Sequence, residues 1–107
     1  MTEKEITIKI SPQFGLEIGV ALKNYAGVML TGKMVGRKDR TVEKAQHFSK
    51  LANAFTKQIT QFIIDNQLPK NPEMDDLCFD FMMSSIAYNQ ILSSMNIDTD
   101  EENTEDE

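Results

Sequence analysis

The sequence has one cysteine and one histidine among its 107 residues. A single cysteine closes no internal disulfide, and one cysteine with one histidine falls short of a Cys/His zinc site. No metal, cofactor or catalytic metal centre is expected. Long apolar runs are also missing. No stretch approaches the roughly 18 residues of a membrane-spanning helix, so no membrane is expected as a partner. The Met1-Thr2-Glu3 start shows neither a secretory pattern nor the glycine that myristoylation requires. Together with the lone thiol, these features predict a cytoplasmic protein. Hydrophobic residues make up 40% and charged residues 26%. That balance fits one soluble globular domain and excludes collagenous or wholly disordered classes.

The formal charge is −6 at neutral pH, with a pI near 4.7. Taken whole, this argues against non-specific binding to nucleic acid or anionic membranes. The charge is uneven, however. Residues 1–32 sum to zero, 33–57 to +5, 58–97 to −4 and 98–107 to −7. The last ten residues, DTDEENTEDE, hold seven acids and no apolar side chain. Such a segment buries too little surface to offset its ordering entropy, so 98–107 is expected to be a disordered acidic tail. The Asp98, Asp100, Glu102 spacing lacks the glycine of a calcium loop and does not indicate one.

The body, 1–97, reads as a single mainly α domain: a three-helix antiparallel arrangement preceded by a short N-terminal β-strand. Glu5 to Ile10 alternates Ile6, Ile8 and Ile10 with Thr7 and Lys9, the period of a strand over about 5–10. With no partner strand in the chain, it is expected to pair with a copy of itself or another protein. The alternative is an extended arm lying along a helix.

Ser11-Pro12 signals a helix start. Phe14, Ile18, Ala21, Tyr25 and Val28 then supply an apolar stripe for a helix over about 12–31. Alternation of Phe14, Leu16, Ile18, Val20 and Leu22 competes with this reading, and Gly15 and Gly19 weaken a helix by roughly 1 kcal/mol each. Gly32 is expected to end it. Ala45, Phe48, Ala52, Phe55, Ile59 and Phe62 predict a second helix over 40–66, packed antiparallel on the first. Asn71-Pro72 opens a third over 72–95, with Leu77, Phe81, Tyr88, Ile91 and Met95 on one stripe. This third helix is apolar nearly all round, and such a helix needs burial on more than one side. Ile6, Ile8, Phe79, Met82, Met83 and Ile86 are therefore the expected interface with a second copy or another protein. A compact monomer with the strand over the second face is the competing arrangement.

Catalytic chemistry finds little support. His47 lies at the edge of the second helix's apolar stripe, and Cys78 sits among Leu77, Phe79 and Phe81 as a buried, inert thiol would. Ser84-Ser85 and Ser93-Ser94 lack any nucleophile context, and GKMVGRK lacks the phosphate-loop spacing. No enzyme is expected. The one site-like feature is basic: Lys33, Arg37, Lys38, Arg40, Lys44 and His47 gather around a helix start, where a phosphate or carboxylate is readily held.

The expected function is non-enzymatic: a self-associating helical protein that inhibits, or assembles with, another protein. The short length, missing catalytic set and acidic tail resemble small bacteriophage accessory proteins in general type, and no motif extends that likeness to particular residues. The type implies a host cytoplasm. The alternative is a binder of a nucleotide or nucleic acid through the basic 33–50 segment, moderated by the tail.

Overall fold

The computed structural model describes residues 4–69 and 71–95. The protein is mainly α-helical, built from α1 (Pro12–Met34), α2 (Val42–Asp65) and α3 (Pro72–Ser94). Each helix starts on a side-chain cap. Ser11 Oγ accepts from the Phe14 amide at 3.1 Å, Thr41 Oγ1 from Lys44 at 3.1 Å and Asn71 Oδ1 from Met74 at 2.8 Å. Proline follows the cap in α1 and α3, where its missing N–H costs nothing.

Two expectations need correction. No strand forms among the described residues: 4–10 has no regular structure, and Ile6 and Ile8 are 86% and 72% exposed. Alternation supplies the side-chain pattern of a strand but not its ladder, and the described chain offers no second strand. The segment does not lie as a buried arm along a helix either. The acidic tail over 98–107 falls outside the described residues.

The second correction concerns the end of α1, which runs through Gly32 to Met34 and stops at Gly36, where φ is 93°. There the Gly36 amide donates to the Lys33 carbonyl at 3.1 Å and the Arg37 amide to Gly32 at 2.9 Å. This double closure requires a left-handed residue, the role Gly36 fills. α2 ends with the same pair of bonds. Gln67, at φ 53°, donates to Ile64, and Leu68 donates to Ile63. Leu68 then packs beside Ile63, so the chain turns back toward the core.

α2 runs antiparallel to α1, bringing Ile59 to Gly15 and Arg40 to Gly32. α3 runs parallel to α1, with Asn71 bonded to Gln13 and Ser84 to Asn24. α1 is the central helix, because α2 and α3 pack on it and hardly on one another. Two glycines set the α1–α2 spacing. A Cβ at Gly15 would come within 2.6 Å of Ile59 Cδ1, and one at Gly19 would collide with Thr56 Oγ1.

That close approach chooses the buried face of α1, which is Gly15, Leu16, Gly19, Lys23, Ala26, Met29 and Leu30. The expected stripe is displaced. Phe14, Tyr25 and Val28 remain 49%, 42% and 56% exposed. The core divides into two apolar clusters. Ala26, Met29, Leu30, Ala45, Tyr88 and Leu92 form one, and Leu16, Ile63 and Met74 the other. Each large side chain among them contributes roughly 1.5–3 kcal/mol by burial.

Candidate functional site

α3 has one covered face and one open face. Met74, Tyr88 and Leu92 are buried against α1, with Leu77, Cys78 and Phe81 half-buried beside them. Phe79, Met82, Met83 and Ile86 follow the i, i+3, i+4, i+7 spacing of one helical stripe. They are 56%, 51%, 46% and 44% exposed. The cause is architectural: α3 packs mainly on α1 and meets α2 only in the core clusters along the same side, so one side of it is covered, and the α3 sequence is apolar on both. Asp75 and Asp76 flank the stripe toward its N-terminus, and Asn89 and Gln90 toward its C-terminus. Of the six residues expected at an interface, these four share one surface. Ile6 and Ile8 belong to the separate N-terminal segment.

The basic segment is drawn inward around its own acid. Arg37 donates through Nε and Nη2 to the two Asp39 carboxylate oxygens at 3.2 and 3.1 Å. Arg40 Nε stands 3.8 Å from Asp39, and Lys44 Nζ reaches the Asp39 backbone carbonyl at 3.5 Å. Desolvation pushes the Asp39 carboxyl upward. The hydrogen bonds from Arg37 and its own backbone, with the charges of Arg37 and Arg40, outweigh that and hold it below its ordinary value. These contacts therefore persist above the usual carboxylate range and are lost as pH falls through the lowered value.

Arg40 Nη1 also lies 3.4 Å from the Tyr25 hydroxyl and 3.1 Å from Met29 Sδ. Lys33 sits in the last turn of α1, Lys38 is exposed, and His47 meets the Phe48 ring edge-on at 5.4 Å. The structure thus gathers Arg37, Arg40 and Lys44. It does not draw Lys33, Lys38 or His47 into that cluster.

Cys78 packs on the cluster around Leu16, Ile63 and Met74, whereas His47 neighbours Phe48 beside the other cluster. They belong to opposite ends of the core and form no dyad. Among the described residues no group of three or more His, Cys, Asp and Glu stands ready for a metal ion. No described helix is long and apolar enough to cross a membrane.

Sequence reasoning missed the polar waist between the clusters. Lys23 is 2% and Ser49 0% exposed. Lys23 Nζ donates to Ser49 Oγ at 2.7 Å, with the Ser49 carbonyl at 3.4 Å. The ammonium also lies 5.2 Å from the Tyr88 ring centroid and 5.6 Å from that of Phe81. A buried ammonium is tolerated only with such partners, and aromatic faces add cation–π attraction. The available signal was spacing. Lys23 falls four residues after Gly19 and eight after Gly15, on the face the glycines define.

The fold and these surfaces define a class: a three-helix layer around a central helix, with an uncovered apolar face and a self-paired basic loop. In comparisons with known proteins, the chain matches no family model, no curated protein and no solved structure.

Proposed function

We propose that this chain is a non-enzymatic protein that acts by binding another protein through the apolar surface its helices leave uncovered. One ratio carries the reading. Fourteen large apolar side chains are exposed among the described residues, against seven that are buried: Leu16, Met29, Leu30, Ile63, Met74, Tyr88 and Leu92. Scattered exposed apolar residues are ordinary, but a four-residue stripe on one helix is a patch of the kind that marks association. Met82 and Met83 suit such a surface, because the unbranched thioether adapts to a partner's shape. The N-terminal segment, with Ile6 and Ile8 exposed, offers backbone groups for strand addition to a partner's sheet edge.

The partner class is a host enzyme to be inhibited or an assembly to be joined, in the manner of a small viral accessory protein in a host cytoplasm. The test compares the tagged chain with its Phe79→Glu variant in affinity purification from the native cell, at low and high salt. A protein retained at high salt by the parent and lost by the variant is expected. Equal recovery with both, or recovery of nothing, contradicts the proposal.

A second reading rests on the convergence of Arg37, Arg40 and Lys44 on Asp39. Two guanidinium groups on one carboxylate, with the Lys44 ammonium at the same residue's backbone carbonyl, make a place where the phosphate of a nucleotide or nucleic acid competes with Asp39. Asp39→Asn combined with removal of 98–107 should then bind oligonucleotides at low salt, and steeply less as salt rises. An absence of binding at low salt refutes this second reading.

A further inference from the structure

We infer that the outer stripe of α3 is covered by the same stripe of a second copy, the two helices crossing antiparallel about a two-fold axis between Met82 and Met83. The inference rests on the reading of this surface as a binding surface, and it names the occupant. The stripe is symmetric about its centre. Phe79 stands as far before the axis as Ile86 stands after it, so an antiparallel pair sets Phe79 against Ile86 twice over. An isologous contact demands this kind of self-complementarity.

Charge fixes the direction. The N-terminal half of α3 carries Glu73, Asp75, Asp76 and Asp80, whereas residues 84–94 carry no charge. Parallel copies would stack carboxylate on carboxylate. Antiparallel copies set Asp75 opposite Gln90 and Asp76 opposite Asn89, where side-chain amides donate to carboxylates. The helix dipoles also oppose one another in this direction. A head-to-tail alternative, acidic α3 against the basic segment of the next copy, competes with Asp39, which already holds Arg37 and Arg40.

Size sets the strength. The four side chains present on the order of 400 Å² per copy, the scale of a large surface patch. A standard interface buries about 800 Å² per partner, so the flanking acids and amides take part and the dimer dissociates on dilution.

The test is sedimentation velocity of the full chain from low to high micromolar concentration, with Met82→Glu and Gln90→Lys alongside. A monomer–dimer equilibrium is expected, weakened at least about tenfold by Met82→Glu with helical circular dichroism unchanged. Gln90→Lys should tighten it by facing Asp75 across the axis. In a Cys78→Ser background, Phe79→Cys should cross-link to Ile86→Cys in a mixture and to neither alone. A monomer at every concentration, a dimer indifferent to Met82→Glu, or self-cross-linking of Phe79→Cys overturns the inference. If the chain stays monomeric while Phe79→Glu still loses a captured protein, the second copy is refuted and the binding reading stands. A dimer that captures no other protein supports the second copy and refutes the binding of a different partner.

Discussion

Around mid-length, α1 meets α2 through Gly19 and Lys23, set against Thr56 and Ser49, whereas the outer face of α3 presents Phe79, Met82, Met83 and Ile86 to solvent. The inner region is the more polar of the two. Apolar content alone therefore does not decide what is buried at this waist, although the clusters on either side of it are apolar. Close approach decides the inside, because glycines let α2 settle on α1 and a lysine stem fills the space where three helices converge. The outer face was left free to be apolar, and an exposed apolar patch of this kind marks a surface suited to association. Thr56 extends the contrast: its Oγ1 is buried with no hydrogen-bond partner among the described residues, beside the missing Cβ of Gly19.

Breaking the inner region should cost most. Lys23→Ala removes a packed stem and the donor to Ser49, and is expected to lose about 3 kcal/mol in urea unfolding. Gly19→Leu, which forces α1 and α2 apart at Thr56, should lose about 2 kcal/mol by overpacking, read by the same method. Gly27 supplies the control: a Cβ there meets nothing within 4 Å. Gly27→Ala should therefore gain about 0.8 kcal/mol through helix propensity alone, visible as a raised midpoint. If Gly19 and Gly27 respond alike, close approach is not what organises α1. Smallest of all is the outer face. Met82→Glu should change the stability of the dilute monomer by under about 0.5 kcal/mol. A large loss there would mean that the stripe is part of the core.

How far the sequence foretold this depends on the element. The starts of α1 and α3 were legible because Ser11-Pro12 and Asn71-Pro72 act locally, through a single side chain and the next turn. The second helix's stripe was partly legible. Ala45 and Ala52 are buried and Phe48, Phe55 and Ile59 half-buried, while Phe62 is 53% exposed. The buried face of α1 was hidden, since counting apolar residues passes over two glycines and a lysine. Its end was hidden too: Gly32 and Gly36 look alike in sequence, and of the two only Gly36 has a positive φ. The strand over 5–10 failed for want of a partner, which is a tertiary fact. The surplus of apolar residues on α3 was readable from composition around the helix, and the structure leaves Phe79, Met82, Met83 and Ile86 exposed together. The self-pairing of the basic loop was not foreseen, although Asp39 sits between Arg37 and Arg40 in plain view.

The methionines carry the comparison into one measurement. Met29 and Met74 are buried, only 2% and 5% exposed, Met34 is 54% exposed at the end of α1, and Met82 and Met83 lie on the α3 stripe. Peroxide oxidation, followed residue by residue with mass spectrometry, reads all five sites in one sample. In dilute protein, Met34, Met82 and Met83 should oxidise quickly and Met29 and Met74 slowly. In concentrated protein, Met82 and Met83 should become protected while Met34 stays fast. If Met82 and Met83 track Met34 at every concentration, the outer face of α3 is not covered by a second copy.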